Sequence, residues 1–420
     1  MSKKFGFLAI ALIMLLTACS TGSNSNKNSE SSQSSTATTS EAPAEKVTLT
    51  MQDYLQGGNS EAMDALIKAY MDKHPNVTID RQNVPFADNT KKLMVGIVSK
   101  TLPDIALVDG ADHLSLAAAG VFADISDLIK QWGEIDQYFD GPMSSTILDG
   151  KNYGIPLSNN LLALFYNVDM FEAANLQPPT TWEELKSIAA TLSKDGVYGF
   201  GASGINSEEG VFQFLPFVWQ GGGDVTNINS QGTIDALNLW KGLIDNGNMT
   251  KDILTQTQQD VMIQFAAGKT AMMVNGPWQI PNLTKQATFK WATVPLPKGQ
   301  ADGTILGGMN LGISSESKHQ DAAWDFLKFT QEAENLKNIN VAIGNVAPRK
   351  DVVQDDHWQK NALLKPFADS MPFAKARAYG PDYPKMSIAI QEMMQKVFTN
   401  HTSADNAVKE AEDIIKPFLK

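Results

Sequence analysis

The sequence predicts an α/β protein with largely parallel sheets, arranged in two domains rather than one. Apolar runs typical of strands alternate along the chain with segments of helical periodicity, and this alternation is typical of parallel sheets flanked by helices. The chain has 420 residues, of which 43% are hydrophobic and 19% are charged. It is long enough for two hydrophobic cores, and its composition is that of an ordinary globular protein.

The predicted strands are short runs of β-branched and other apolar residues. Residues 47–51 alternate in polarity and predict the first strand, and residues 77–79 predict the second. Residues 104–108 form a buried strand that ends at Asp109 and Gly110, and residues 271–274 form another.

The predicted helices are marked by apolar periodicity and by capping residues. Ser60 is expected to cap the first helix, which carries an apolar face and ends at Pro75. Thr181 and Glu184 have the spacing of a capping box ahead of a second amphipathic helix. Further helices are predicted at 234–244, 321–329, 386–398 and 404–418.

The amino terminus has the charged, apolar, small-residue order of a secretory signal. Lys3 and Lys4 precede the apolar run 7–16, which is too short for a permanent membrane span. The motif Leu-Thr-Ala-Cys at 16–19 resembles the lipobox of bacterial lipoproteins. That resemblance implies that residues 1–18 are a lipoprotein signal peptide and that Cys19 becomes lipidated. The alternative is an ordinary signal peptide with an incidental cysteine.

The segment that follows Cys19 has a composition typical of disordered segments. Residues 20–45 are mostly Ser, Asn, Thr, Ala and Glu, and such a composition cannot bury enough surface to offset its ordering entropy. We expect residues 19–45 to tether a folded body outside the cytoplasmic membrane. The lipobox and the Ser/Asn-rich tether favour a Gram-positive envelope.

Composition excludes several classes of partner. The formal charge is −12, and removal of Lys3 and Lys4 with the signal makes it −14. An acidic chain with only three arginines lacks the basic face that nucleic acid or an anionic membrane surface requires. One cysteine allows no internal disulfide. The only predicted membrane contact is the lipid.

No catalytic or metal motif is visible. The chain has no GxxxxGK[ST] loop, no HExxH and no GxSxG, and its five histidines have no metal-ligand spacing. We predict neither a cofactor nor a metal, and no enzymatic activity. Two carboxylates distant in sequence suffice for a glycosidase, so a surface polysaccharide hydrolase stays as an alternative.

Short motifs rich in aromatic residues, proline and glycine follow the predicted signal in a characteristic order. They lie at 102–105, 153–156, 164–167, 179–185, 219–222, 265–272, 275–278, 295–297, 307–308 and 321–327. In this order they resemble the extracellular solute-binding proteins of ABC importers, family 1, which includes maltose- and trehalose-binding proteins. The resemblance covers essentially all of residues 46–420.

This resemblance implies a two-lobed solute-binding protein fold with a hinge and an interlobe ligand cleft. The N-lobe would comprise 46–160 plus 306–345, and the C-lobe 161–305 plus 346–420. The crossings would lie near 158–161, 304–308 and 343–347. The implied function is that of a monomeric binding subunit, which closes around a mono- or oligosaccharide and presents it to ABC permease subunits in the membrane.

A saccharide site combines hydrogen-bonding side chains with aromatic rings, because a sugar has both hydroxyls and apolar C–H faces. In open α/β sheets the ligand lies beyond the carboxyl ends of strands. The candidates are Gln52, Asp53, Asp109, Gly110, Asn159, Asn160, Trp219, Gln220, Asn275, Trp278, Gly308, Met309, Arg377 and Tyr379.

Three of these candidates are chosen for specific properties of their side chains or positions. Asp109 follows a predicted buried strand, and Trp278 matches the tryptophan that stacks on sugar in maltose-type relatives. Arg377 offers a planar fork for vicinal hydroxyls or a carboxylate. The alternatives are structural: Trp278 packs between helices, Arg377 forms a surface salt bridge, Trp219 lies in the core, and Gln52 and Asp53 cap or turn the chain.

The ligand class has one further alternative. A cleft for glycerol 3-phosphate or another polyol phosphate would need cationic groups, and Arg377 with Lys375 is the only such cluster. Residues 110–113 are Gly-Ala-Asp-His, where maltose-type relatives often have a tryptophan or an Arg–Asp cluster. This departure does not favour a maltodextrin.

Overall fold

A six-stranded, a three-stranded and a two-stranded β-sheet organise the chain in a computed structural model, which describes residues 46–419. The predicted signal peptide, Cys19 and the tether lie outside the described residues. Eleven strands are present in this range. They are β1 (Val47–Asp53), β2 (Val77–Asn83), β3 (Ile105–Asp109), β4 (Ile147–Leu148), β5 (Lys151–Asn152), β6 (Ile155–Leu161), β7 (Ala163–Asn167), β8 (Met272–Asn275), β9 (Trp291–Val294), β10 (Thr304–Ile313) and β11 (Ala374–Ala376).

Seventeen α-helices cover the sheets within the same range. They are α1 (Gly58–Lys73), α2 (Phe86–Ser99), α3 (Gly110–Ala118), α4 (Ser126–Trp132), α5 (Asp140–Ser144), α6 (Val168–Ala174), α7 (Trp182–Leu192), α8 (Glu208–Gln220), α9 (Gln231–Asp245), α10 (Gln258–Ala266), α11 (Ile280–Gln286), α12 (Gln320–Gln331), α13 (Ala333–Ile343), α14 (Asp356–Gln359), α15 (Lys365–Ser370), α16 (Tyr383–Phe398) and α17 (Ala404–Ile415). Across residues 46–419, no helix has the length and apolar composition needed to cross a membrane.

The larger sheet is mixed rather than largely parallel. Its order is β11-β10-β3-β1-β2, with β6 also paired to β10. The pairs β1–β2, β1–β3 and β10–β11 are parallel, whereas β10 runs antiparallel to both β3 and β6. The smaller sheet, β8-β7-β9, is antiparallel throughout. The long strand β10 enters the larger sheet in reverse, a direction that strand–helix alternation alone does not predict.

Most predicted elements are present, with shifted ends. The first strand continues to Asp53, and the first helix begins at Gly58, with Gly57 rather than Ser60 as its N-cap. The hydroxyl of Ser60 instead accepts a hydrogen bond from Arg81 Nη1 at 3.0 Å. Thr181 does cap α7, because its hydroxyl accepts from the backbone N–H of Glu184.

Two large apolar clusters hold the fold. The first surrounds the larger sheet, where Leu49, Met51 and Leu107 are fully buried, and it continues to Phe165 of β7. The second lies where α8, α9 and α16 meet the smaller sheet. At its centre the indole of Trp240 stacks on Phe398 at a centroid distance of 5.9 Å.

The three predicted crossings lie side by side. Leu162 alone separates β6 of the larger sheet from β7 of the smaller one. Its backbone N–H donates to Thr304 Oγ1 at 3.2 Å, and that hydroxyl donates back to the Leu162 carbonyl at 2.8 Å. Asn159 exchanges two backbone hydrogen bonds with Val346, each 2.9 Å. A hinge formed by several adjacent strands therefore has a structural basis in these contacts.

The lobe boundaries stay a prediction. One detail differs from them, because the larger sheet includes β11, whereas the prediction assigned all of 346–420 to the second lobe. The three residues of β11 complete the open edge of β10. So short a strand has no periodicity that could indicate it in the sequence.

Candidate functional site

A cavity of about 300 Å³ lies where the two sheets and their helices meet. Its lining comes from the ends of β3 and β6, the first half of β10, the starts of α2, α3, α8 and α10, and the segments after β8 and β11. The lining residues are Phe86, Asp109, Ala111, Asp112, Asn160, Glu208, Glu209, Phe212, Gln258, Trp278, Gly307 and Arg377. Asp109, Asn160, Trp278 and Arg377 are thus predicted site residues that the fold brings together.

The carboxyl end of β3 supplies the first polar group. Asp109 is the last residue of the strand and the N-cap of α3, because its Oδ1 accepts from the backbone N–H of Ala111 at 2.9 Å. A carboxylate is favourable at a helix N-terminus, where backbone N–H groups lack partners. The same local structure places Asp112 in the first turn of α3 and in the wall of the cavity.

Asp112 is an unusual carboxyl group. Burial, and then the nearby charge of Asp109, raise its pKa to about 6, against the partial offset of a hydrogen bond from Thr90. The Thr90 hydroxyl donates to Asp112 Oδ2 at 2.7 Å. A second carboxylate beside the first, in a partly dry site, resists ionisation. Asp112 is therefore harder to ionise than an exposed aspartate.

Arg377 bridges two of the carboxylates. Its Nη1 donates to Glu208 Oε1, and its Nη2 lies 3.6 Å from Asp109 Oδ1. Burial alone would lower the pKa of the guanidinium, but the charges of Glu208 and Asp109 raise it above its ordinary value. The guanidinium also lies over the Phe212 ring, 4.8 Å from its centroid. Arg377 is thus an internal counter-ion rather than a free cation.

Glu208 fixes the start of α8. Besides Arg377, its carboxylate accepts hydrogen bonds from the hydroxyls of Tyr383, at 2.7 Å, and Ser387. Burial, and then the charge of Glu208, raise the pKa of Tyr383 well above its ordinary value, so Tyr383 stays a neutral donor. The neighbouring Glu209 accepts from the backbone N–H of Gln258 at the start of α10.

Aromatic rings supply the apolar wall. Trp278 is half-buried in the short 3₁₀ helix after β8, and its indole lies 6.4 Å from the Phe212 ring, tilted by 47°. The indole packs so closely on Gly276 that a Cβ there would be 1.8 Å from its Cζ3 atom. Phe86 is 59% exposed at the cavity edge, against Tyr54. Such rings suit the C–H face of a sugar.

A smaller cavity, of about 10 Å³, adjoins the first and is lined by Gly110, Asn159 and Gly308 among others. The glycine lets β10 approach β6, because a Cβ on Gly308, at φ +154, would be 2.2 Å from the Ser158 carbonyl oxygen. Asn159 is buried, and its Nδ2 has no hydrogen-bond partner within the described part of the chain. Met309 is buried in β10 opposite Asp109 and lines neither cavity.

Gln52 and Asp53 are not brought into the cavity. Gln52 Nε2 donates to Asn89 Oδ1 at 3.0 Å. The carboxylate of Asp53 is fully buried against Arg81, with Nε and Nη2 at 2.6 and 2.7 Å from its two oxygens. Both side chains hold β1 to its neighbours, which corresponds to the structural alternative for this pair.

Four further candidates lie behind the cavity. Trp219 Nε1 donates to the Tyr379 hydroxyl at 3.1 Å, and both side chains pack into the second apolar cluster. Gln220 accepts from Trp182 Nε1 at 3.0 Å and donates to the Gly303 carbonyl at 2.7 Å.

Asn275 supports the wall from behind. Its Nδ2 donates to the carbonyl of Gln258, a cavity residue, at 2.9 Å. All four side chains therefore stabilise the frame of the cavity without lining it.

The sequence prediction missed several lining residues, namely Phe86, Asp112, Glu208, Glu209, Phe212 and Gln258. One signal existed for Glu208 and Glu209, because two adjacent glutamates open a long apolar helix and helix starts favour carboxylates. The apolar run that follows them masked Phe212.

A larger surface cavity of about 500 Å³ contains Trp182, Asp235 and Gln300, and none of the predicted site residues lines it.

Comparison with known proteins gives relatives over nearly the whole described region. A family model for bacterial extracellular solute-binding proteins matches residues 65–366. A putative binding protein of Brucella abortus is 25% identical over 382 residues, covering 88% of this chain and 92% of that protein. The multiple sugar-binding protein of Streptococcus mutans is 25% identical over 353 residues, covering 78% and 80% of the two chains.

Solved structures share the fold. The cyclic alpha-maltosyl-1,6-maltose binding protein from Arthrobacter globiformis superposes with a TM-score of 0.80 at 27% identity, covering 89% of this chain and 99% of that one. The GacH receptor of Streptomyces glaucescens, solved unliganded and with acarbose, gives 0.80 at 26% identity, with 89% and 98% covered. These similarities confirm the predicted two-lobed α/β fold with a hinge and an interlobe cleft.

Proposed function

Because the chain belongs to the bacterial extracellular solute-binding proteins, we propose that it is the saccharide-binding subunit of an ABC importer. It binds a mono- or oligosaccharide in the cavity between the two lobes and presents it to permease subunits in the membrane. The observation that carries this proposal is the cavity itself, where Trp278 and Phe212 face carboxylate and amide groups.

The chemistry of the lining suits a polyhydroxylated ligand. Asp109, Asp112 and Asn160 offer acceptors and a donor amide for hydroxyls, and Trp278 offers an apolar face for ring C–H groups. Relatives named for their ligands include sugar-binding and maltotriose-binding proteins. These relatives are named as binding proteins, which supports a role without catalysis rather than the hydrolase alternative.

The charge of the cavity opposes the polyol-phosphate alternative. Arg377 is the one cationic residue in the lining, and it already contacts Glu208 and Asp109. Lys375, the other member of the proposed cationic cluster, instead lies near Asp224 and over the Trp219 ring. A phosphate would meet uncompensated carboxylates, and like charges in a partly dry cleft repel strongly.

Export and anchoring complete the proposal. Residues 1–18 direct export, Cys19 carries the lipid, and the tether 19–45 lets the two lobes reach the permease. Replacing Cys19 by Ala should release the protein from membranes into the soluble fraction. Retention of the Cys19→Ala variant in the membrane fraction would contradict lipid anchoring and leave the sugar proposal intact.

The binding proposal is tested by a thermal-shift screen of the purified protein. Mono-, di- and trisaccharides are compared with polyols and sugar phosphates, because a ligand that binds only the folded state raises Tm. We expect a shift with one saccharide class and none with glycerol 3-phosphate. A shift with the phosphate alone would move the assignment to the polyol-phosphate alternative.

A further inference from the structure

The cavity has an excess of carboxylates that its own cation does not balance. Four acidic side chains line it, namely Asp109, Asp112, Glu208 and Glu209, against the single guanidinium of Arg377. Glu208 is satisfied by three donors, as described above. The remaining acidic groups keep free acceptor oxygens.

Three carboxylate oxygens have no partner among residues 46–419. Asp109 uses Oδ1 for the N–H of Ala111 and for Arg377, which leaves Oδ2 free. Asp112 uses Oδ2 for Thr90, which leaves Oδ1, and Glu209 uses Oε1 for Gln258, which leaves Oε2. None of these oxygens is among the fully enclosed unpartnered atoms of the described residues, so each is open to a ligand that donates hydrogen bonds. Together the carboxylates give the cavity a negative potential, which favours a donor that carries positive charge.

The raised pKa of Asp112 is consistent with this arrangement. Burial and the charge of Asp109 make ionisation of Asp112 unfavourable in the empty cavity. An ammonium group beside Asp112 would offset that cost, since an opposite charge stabilises the ionised carboxylate. The aromatic rings of Phe86 and Trp278 are also compatible with a cation near their π surfaces.

A separate observation indicates that the ligand also has an acceptor, as a sugar does. Asn159 is only 2% exposed and lines the adjoining small cavity, and its Nδ2 has no hydrogen-bond partner among residues 46–419. A buried donor of this kind calls for an acceptor such as a hydroxyl oxygen. The two cavities share Ala111, Gly307 and Arg377, and the smaller one, of about 10 Å³, has room for a single hydroxyl group beside Asn159.

We propose that the saccharide bound in this cleft carries a protonated amine, and that Asp112 with Asp109 receives the ammonium group. The ligand class is therefore an aminodeoxy sugar or an oligosaccharide that contains one. This inference rests on the proposed function and narrows its ligand. Asp112 acts as the residue that distinguishes an amino sugar from its neutral counterpart.

The test uses sugars that differ only at one substituent. Glucose, glucosamine and N-acetylglucosamine form one set, the galactose and mannose series form two more, and cellobiose, its diamino analogue and diacetylchitobiose form a fourth. N-acetylation removes the charge but keeps the nitrogen. Isothermal titration at neutral pH and low salt should show that the amine in at least one set binds about tenfold tighter than both uncharged members.

Variants identify the responsible carboxylate. Asp112→Asn keeps an acceptor for Thr90 and removes the charge, so it should bring the Kd values of the amine and of its neutral counterpart to within about twofold of each other, whatever the change in affinity for the neutral sugar. Asp127→Asn makes the same change on an exposed residue of α4 and should keep the preference. Added salt should weaken the binding of the amine but not that of the neutral sugar, because only the amine is bound through its charge.

The outcomes separate this inference from the function on which it rests. If a neutral or N-acetylated sugar binds as tightly as the amine, the ligand inference is overturned and the saccharide proposal stands. If Asp112→Asn retains the full preference, the role of Asp112 is overturned. If spermidine binds and no sugar does, both proposals are overturned.

Discussion

Two aspartates at the ends of neighbouring strands differ in how many internal donors their carboxylates accept from. Asp53 ends β1, Asp109 ends β3, and the two strands are adjacent in the larger sheet. The oxygens of Asp53 accept from Arg81 twice, from Asn83 Nδ2 at 2.9 Å and from the Leu55 N–H at 2.9 Å. Asp109 has one close donor and a guanidinium at 3.6 Å. Both strand ends place a carboxylate where a ligand could bind. Only Asp109 keeps a carboxylate oxygen that no internal donor occupies, so only Asp109 can accept a hydrogen bond from a ligand.

The comparison extends to the two arginines. Arg81 is saturated by Asp53, Asp64 and Ser60 within one side of the molecule. Arg377 instead joins Asp109 at the end of β3 to Glu208 at the start of α8. The first cluster ties a sheet to its helix, and the second spans the cavity. Burial of an ion pair alone therefore does not distinguish a structural cluster from a binding cluster.

The largest expected effect is on stability, from Asp53→Asn. This change leaves the mostly buried Arg81 with a poorer partner, and breaking a buried pair costs about 3–5 kcal/mol. Urea denaturation should show this loss, while the folded variant should bind the screened sugar with unchanged affinity. A stability close to that of the parent protein would show that Asp64 and Ser60 suffice to hold Arg81.

The next effect is on binding, from Trp278→Ala. Loss of a stacking ring should raise the sugar Kd by about 10- to 100-fold, since such a contact contributes a few kcal/mol. Trp291→Ala is the matched control, because Trp291 is half-buried in β9 and stacks on Phe165 at 5.9 Å, outside the cavity. An equal rise in Kd for both variants would assign Trp278 to packing.

Asp109→Asn tests the cleft half of the comparison directly. Asparagine is as good an N-cap as aspartate, so stability should change by less than about 1 kcal/mol, whereas Kd for the screened ligand should rise about tenfold. Denaturation and titration on the same preparation measure both. A large loss of stability with normal affinity would show that Asp109, like Asp53, stabilises the fold and does not bind the ligand.

The last expected effect is the dependence of stability on pH. The pKa of Asp112 is raised to about 6 from an ordinary 3.8, so between these values the folded state binds more protons than the unfolded state. Stability contributed by this group is therefore present below pH 4 and is lost as pH rises towards 6. Denaturation across this range should show a decline of about 1–3 kcal/mol that Asp112→Asn removes, the upper figure corresponding to the full difference between the two pKa values. A decline of the same size in Asp112→Asn would exclude Asp112 as its source.

Individual residues show how much of the site the sequence could predict. The rule that ligands lie beyond strand ends selected both Asp109 and Asp53, and they differ because the fold brings Arg81 and Asn83 to the carboxylate of Asp53. Trp278 and Asn160 were selected from local motifs and do line the cavity. Gln220 was selected with Trp219, but its amide is used by Trp182 and by a backbone carbonyl, which no local pattern indicates.

The missed residues have a common cause. Glu208 and Phe212 begin a helix whose neighbours in the sequence are apolar, and the partners of Glu208 are Arg377, Tyr383 and Ser387, about 170 residues away. Hydrogen bonds over such separations depend on how helices pack. Periodicity identifies which face of a helix is apolar but not which charged residue the packing places beside it.

The sequence by itself determined the alternation of strands and helices, the acidic charge, the predicted export signal and the family, because periodicity, composition and short motifs are local properties of a chain. The tertiary structure decided the reversed direction of β10, the addition of β11 to the larger sheet, and the selection of Asp109 over Asp53 for the cavity. These depend on pairing between distant segments. Whether a carboxylate is free to bind depends on donors that only the fold brings within 3 Å.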